Sequence, residues 1–179
     1  MKEFRSFTMI REPVDTVWTT MRDRLSAVAA TMDDLHGIEE LERTLDPDGA
    51  RLLNRWIASQ KVPALLRDAL GSETISWLDR ARWHDAQRLC EWTIEPSLLH
   101  DHVACGGRTR YESAMAGRGT RVSFEGYFEL RPGFGGVLSP ALEPVLASFV
   151  ESMVSTLIPR NLTRAIVAAG ELIAADRKR

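Results

Sequence analysis

The stretch "ISWLDRARWHDAQRLCEWTIEP", residues 75–96, holds three of the chain's five tryptophans, with Asp79 and Arg88 set among them. Tryptophan rings offer broad, flat apolar surface, and a carboxylate or guanidinium beside them can orient a ligand or move a proton. Whether these groups meet depends on which way each side chain points. If the stretch is a hairpin turning at His84 and Asp85, Trp92 falls opposite Trp77, Cys90 opposite Asp79 and Arg88 opposite Ala81. One face then collects Ile75, Trp77, Trp83, Trp92 and Ile94, with Asp79 and Arg88 as diagonal neighbours on it. An apolar core has no use for two charges, and burying them unpaired costs several kcal/mol or more. The pair is therefore a structural ion pair, a feature of an open rim, or part of a pocket. In the pocket reading Arg88 orients an anionic or carbonyl-bearing ligand while the tryptophans cover its apolar body.

A second hairpin extends that face. With Gly117 and Arg118 as its loop, Tyr111 faces Phe124, Thr109 faces Gly126 and Cys105 faces Leu130, so Tyr111, Phe124 and Phe128 join the inner side. On the reverse side Arg110 falls opposite Glu125, and Glu112 lies diagonal to Arg121, which supports the register independently. That outer face carries Arg80, Arg82, Arg108, Arg110 and Arg121, interleaved with Glu91, Glu95, Glu125 and Glu129. It reads as a laced, solvated surface and not as a nucleic-acid stripe.

Acid–base chemistry needs a base, and a buried Asp79 with a raised pKa would serve, with Tyr111 as proton donor; a nearby Arg88 would oppose that shift. No Ser-His-Asp or Cys-His spacing suggests covalent catalysis. Cys90 and Cys105 read as small buried apolar residues. The segment "HDH" at 100–102 splits its two histidines between opposite faces and reads as a surface loop, so neither metal nor cofactor is expected.

These residues must be positioned by the rest of the chain. Residues 3–11 alternate as a strand. Pro13 opens a helix whose apolar positions are Val14, Val17, Trp18, Met21, Leu25, Val28 and Met32. "IEELERTL" and "ARLLNRWIAS" flank the turn "DPDG" as a hairpin. "VPALLRDALG" is a short helix opened by Pro63 and stopped by Gly71. From Ser139 to Asp176 the spacing of Leu142, Leu146, Phe149, Met153, Leu157, Leu162, Ile166 and Ile173 predicts a long helix, kinked near Ser155 by Pro159.

A chain of 179 residues is most economically one domain, and a net charge of −2 gives no global attraction to nucleic acid or to an anionic membrane. The N-terminus lacks the apolar run of a signal peptide, and Glu143, Glu151 and Glu171 interrupt the apolar C-terminal region. A cytoplasmic protein without integral membrane association is expected; the final helix also offers a surface for a homodimer.

The order of elements, carried by "FTMIREPVDTVWTTMRD", "GTRVSFEGYFEL" and "ESMVSTLIPRNLTRAIVAAGELI", resembles the START-like superfamily, also called SRPBCC. The resemblance implies an α+β helix-grip fold, with a curved antiparallel sheet of about seven strands wrapped around a long C-terminal helix. It further implies a cavity between sheet and helix that takes a hydrophobic small molecule or lipid, or hosts a polyketide cyclase, aromatase or hydratase reaction. In that frame the ligand-binding residues are Trp77, Asp79, Trp83, Arg88, Trp92, Tyr111, Phe124 and Met153. The segment "VPALLRDAL" is placed where phospholipid-transfer members carry a lid.

Overall fold

The computed structural model describes residues 1–97, 100–131, 142–152, 156 and 158–179. Seven strands form one antiparallel sheet: β1 (Lys2–Ile10), β2 (Leu35–Asp46), β3 (Gly49–Lys61), β4 (Thr74–His84), β5 (Leu89–Pro96), β6 (Val103–Ala114) and β7 (Gly119–Leu130). Their spatial order is β1-β7-β6-β5-β4-β3-β2, so the N-terminal strand closes against the last one and every other neighbour is the next strand in the chain. The helices are α1 (Val14–Asp23), α2 (Leu25–Ala29), α3 (Ala64–Leu70), α4 (Glu143–Ser152) and α5 (Ile158–Asp176). This is the helix-grip arrangement, α+β, with α5 lying across the inner face of the sheet beside α1, α2 and β1.

Local chemistry explains most boundaries. Pro63 sits at the start of α3 and Gly71 ends it in the left-handed region, where a glycine avoids the Cβ clash. The β2–β3 hairpin turns at Pro47 and Asp48, as "DPDG" predicts. The expected single N-terminal helix is broken at Arg24, whose φ of −130° separates α1 from α2. The break lets the chain turn while Val17, Trp18, Met21, Leu25 and Val28 all stay buried. At the C-terminus α4 ends at Ser152 and α5 begins at Ile158. The predicted kink at Ser155 and the side chain of Met153 lie outside the described residues.

Two hairpins take a different register from the expected one. The β4–β5 loop is four residues long, Asp85 to Arg88, so Trp83 pairs with Cys90, Ala81 with Trp92 and Trp77 with Pro96. The β6–β7 loop is also longer, Met115 to Arg118, so Tyr111 pairs with Val122 and Thr109 with Phe124. The physical reason is the same in both. Each loop uses non-glycine residues in the left-handed region, Arg88 in one and Met115 and Ala116 in the other. That conformation costs roughly 1–2 kcal/mol per residue, so it is invisible to a search for glycine turns. The slips are by four and two residues, both even, so every side chain that stays in a strand keeps its predicted face. On the outer face Arg108 now lies directly opposite Glu125, with Nη2 to Oε2 at 2.6 Å, and Glu112 opposite Arg121.

Across the middle of the sheet one row reads Trp92, Gly107, Gly126 and Phe4 on β5, β6, β7 and β1. The two glycines leave a hollow on the inner face, and the rings of Trp92 and Phe4 meet above it, centroids 6.2 Å apart and nearly parallel. A Cβ at Gly107 would lie 2.3 Å from the Glu125 carbonyl oxygen and 2.7 Å from Trp92 Cζ2. Gly107→Ala is therefore expected to destabilise the protein by about 2 kcal/mol or more. Gly37→Ala, where a Cβ meets nothing within 4 Å, serves as its control and should shift stability by no more than about 0.5 kcal/mol. Urea unfolding of the two variants checks the contrast; equal effects would refute the steric account.

Candidate functional site: a cavity between sheet and helix

Strand pleating puts alternate residues of β3, β4, β5, β6 and β7 on one concave wall. From it Trp56, Trp77, Asp79, Ala81, Trp83, Cys90, Trp92, Ile94, Thr109, Tyr111 and Phe124 line a single cavity. The opposite wall comes from helices: Met21 of α1, Leu25 of α2, and Ile158, Asn161, Leu162 and Ile166 of α5. The unfilled space among these residues is about 570 Å³, open solvent at its mouth included, of which about 40 Å³ admits the centre of a water-sized sphere. That is room for on the order of three waters. A larger molecule enters only by displacing lining side chains.

Six of the sequence-predicted site residues meet here: Trp77, Asp79, Trp83, Trp92, Tyr111 and Phe124. Arg88 does not. It occupies the last position of the β4–β5 turn, where its Nη2 donates to Asp15 Oδ1 at 2.6 Å and its Nη1 to the Asp85 carbonyl oxygen at 2.8 Å. Its guanidinium also stands 5.4 Å from the Trp18 ring centroid, in cation–π range. The expected Asp79–Arg88 neighbourhood is thus corrected by the register: the four-residue slip carries Arg88 off the wall and into the turn.

Asp79 meets other partners. Antiparallel pairing sets it opposite Asn54 on β3, and Trp56 opposite Trp77. Trp56 Nε1 donates to Asp79 Oδ2 at 3.3 Å, and the Asn54 side chain also hydrogen-bonds the carboxylate. Asp79 is half-buried and lines the cavity among apolar side chains, which desolvate its carboxylate. Desolvation pushes its pKa up to about 6, against the opposing pull of the Trp56 and Asn54 hydrogen bonds. Burial likewise raises the Tyr111 phenol well above its ordinary value, with the Cys90 and Asp79 charges adding to it, so Tyr111 keeps its proton. The Cys90 thiol is raised by burial and by Asp79 and Glu91, and Cys105 is pushed by burial up to about 12; both are inert thiols at neutral pH.

The aromatic wall is braced from behind. Trp56 and Trp77 stack with centroids 5.8 Å apart, and Trp92 Nε1 donates to Thr109 Oγ1 at 3.0 Å. Trp18 of α1 meets Trp83 edge-on at 4.9 Å and Tyr111 at 5.2 Å. Its own Nε1 reaches out to Asp85 Oδ1 at 2.9 Å. Among the described residues lining the cavity, Asp79 is the sole carboxyl, and none is a lysine, arginine or histidine.

Asn54, Trp56 and Asn161 were not singled out from sequence. For the first two the signal was present: Leu52, Asn54, Trp56 and Ala58 alternate on the buried face of β3, so an asparagine there is a polar group facing inward. Asn161 sits next to Leu162 on the apolar stripe of α5. His100 to His102 form a short turn of 3₁₀ helix, and no cluster able to hold a metal ion occurs among the described residues. Nor is any helix there long and apolar enough to cross a membrane.

The architecture has counterparts among solved structures. The chain superposes on the Zhui aromatase/cyclase from Streptomyces sp. R1128 with a TM-score of 0.68 at 18% identity, covering 99% of this chain and 96% of that one. The shared feature is the helix-grip fold. TTHA0849 from Thermus thermophilus matches with a TM-score of 0.63 at 21% identity, over 98% of this chain and 99% of its own. Ara h 8.0201 matches with a TM-score of 0.61 at 12% identity, over 97% and 98% of the two chains. No family model matches the sequence, and no curated protein matches it. At these identities the likeness fixes the fold alone and leaves the contents of the cavity to this chain's own residues.

The raised Asp79 pKa has a definite sign in stability. A carboxyl whose folded value of about 6 exceeds the ordinary 3.8 holds its proton more tightly in the folded state. Its contribution is most favourable below the unfolded value and is lost as pH rises towards the folded one. The unfolding free energy of wild type relative to Asp79→Asn should accordingly fall by roughly 2 kcal/mol between about pH 4 and about pH 7, then level off. Urea titrations across that range measure it; a difference that stays flat would mean the carboxyl titrates as if in water.

Proposed function

We propose that this protein binds a hydrophobic small molecule in the cavity between the sheet and α5. The observation that carries the reading is the one-sided wall: four tryptophans, Tyr111 and Phe124 face a space bounded on its far side by Ile158, Leu162 and Ile166. Pockets for small apolar ligands have this composition, a mainly aromatic and aliphatic lining with few polar groups. The likeness to solved structures that include an aromatase/cyclase supports a role for the same space in this chain.

A second reading has its own observation. A carboxyl brought to about 6 and a phenol that keeps its proton line the same cavity, which supplies one group able to accept a proton near neutral pH and one able to donate a hydrogen bond. In a cyclase or hydratase reaction Asp79 would take a proton from carbon or oxygen of the bound molecule, and Tyr111 would donate a hydrogen bond to the oxygen on which charge develops.

Binding is expected to quench or shift the intrinsic tryptophan fluorescence when an apolar fluorophore such as anilinonaphthalene sulfonamide is titrated in. Leu162→Ala, which widens the helical wall, should tighten that binding about 3-fold or more while lowering stability by about 1–2 kcal/mol. Probe binding that ignores the substitution would place the ligand elsewhere. For the second reading, Asp79→Asn and Tyr111→Phe are assayed on polyketone substrates. Turnover lost by about 10²-fold or more with binding retained indicates chemistry, and turnover unaffected by either variant argues against it.

A further inference from the structure

Three arginines gather at the C-terminal end of α5 with no carboxylate among them. Arg11, Arg118 and Arg177 line one surface cleft together with Pro13, Met115 and Gly117. The cleft shares no lining residue with the cavity between sheet and helix, and it is far roomier. About 640 Å³ here admits the centre of a water-sized sphere, against about 40 Å³ there, so a molecule of many atoms enters without moving a side chain. Arg11 makes no side-chain hydrogen bond or ion pair among the described residues. Arg118 makes only a long hydrogen bond, 3.4 Å from its Nε to the Met115 carbonyl oxygen. The chain carries a net charge of −2, so the charge of this cleft is set against the protein's overall sign.

The fold brings the three together from separate parts of the chain. Arg11 directly follows β1, whose Ile10 pairs with Thr120, and Thr120 Oγ1 donates to the Glu12 carbonyl oxygen at 2.6 Å. Arg118 directly precedes β7, at the end of the β6–β7 turn. In that turn Met115, Ala116 and Gly117 follow one another at φ of 53°, 53° and 83°, a left-handed run that non-glycine residues seldom hold. Such strain persists where the surroundings enforce it, and it gathers at functional sites. Arg177 stands one residue past α5, and its guanidinium donates to the carboxylate of Glu12, a side chain only 8% exposed. That bond uses Nη2 and fixes Arg177 in place, leaving its other N–H groups for a ligand.

A guanidinium presents a planar fork of donors that matches two oxygens of a phosphate. Three such forks on one cleft, with no carboxylate lining it, match a group that carries several negative charges on several oxygens. We propose that this cleft binds the diphosphate group of a small molecule, with Arg11, Arg118 and Arg177 taking the phosphate oxygens and Pro13 and Met115 meeting the remainder. Met115 is 44% exposed, so its thioether is open to such contact. Lipid headgroups carry the same phosphate chemistry. The net charge of −2 works against an anionic bilayer, and a concave site suits a group that enters it from solution. This site is separate from the sheet–helix cavity, and the two readings stand or fall independently.

Calorimetric titration of the full chain with inorganic diphosphate and with inorganic phosphate tests the assignment. At about 0.1 M salt diphosphate should bind about 10-fold or more tighter than phosphate, and it should weaken about 10-fold when salt is raised to about 0.5 M. Arg11→Gln and Arg118→Gln should each weaken diphosphate about 10-fold. Both remove exposed side chains, so without ligand they should melt within about 2 °C of wild type. Arg51→Gln, on β3 and outside the cleft, removes the same charge and should change diphosphate affinity by less than about 2-fold. Diphosphate that fails to bind at millimolar concentration overturns the proposal. So does an equal loss in Arg51→Gln, which would mark a general attraction of charge. Sedimentation with phosphatidylcholine vesicles, with and without phosphatidate, separates the two sources of phosphate. Protein that stays in the supernatant supports a soluble ligand. Pelleting on phosphatidate that Arg11→Gln and Arg118→Gln abolish gives the site to a lipid headgroup and overturns the small-molecule assignment.

Discussion

The pleat of the strands is the constraint on which everything else rests. Successive side chains on a strand point to opposite faces, so pairing sends alternate residues of five neighbouring strands to one wall. The same parity sends Arg80, Arg82, Arg108 and Arg110 outward, where Asp46, Glu95 and Glu125 meet three of them in water. Those exposed pairs add little to stability, as surface ion pairs generally do. What they accomplish is negative: they keep charge off the face that encloses the cavity, so that Asp79 stands there without a cation.

That isolation decides the electrostatics of the interior. A carboxylate beside an arginine would be ionised and chemically quiet, with its pKa held low. Here the hydrogen bonds of Trp56 and Asn54 recover only part of what desolvation removes, and the group is left near the pH at which proton transfer in either direction is easy. The thiols of Cys90 and Cys105 stay protonated, because burial lifts both far above neutral pH and Asp79 lifts Cys90 further. Among the described residues lining the cavity, Asp79 is therefore the group that titrates near neutral pH.

Much of this was legible in the sequence because it depends on period and parity. The strand count, the helix-grip order, the DPDG turn and the one-sidedness of Trp77, Trp83 and Trp92 all follow from alternation, which a two- or four-residue slip leaves intact. What was not legible depends on turn conformation and on contacts distant in sequence. The residue Arg88 adopts a φ of 49° in a loop without glycine, a state that local preference argues against and that tertiary contacts enforce. Likewise, Asn161 reads as an ordinary interruption of an apolar stripe until the sheet is laid against it. Trp56 and Asn54 lay within reach of the same parity argument, since their strand alternates as clearly as the others.

The β4–β5 turn is fastened to α1 at three points: Trp18 and Arg22 both donate to Asp85, and Arg88 donates to Asp15. These partners are 63 to 73 residues apart along the chain. A peptide containing only the hairpin has none of them and keeps only its internal bonds, such as those from the Arg88 backbone N–H and Nη1 to the Asp85 carbonyl oxygen. The long-range contacts at the tip of this turn therefore support its four-residue loop only when the N-terminal helix is docked against it.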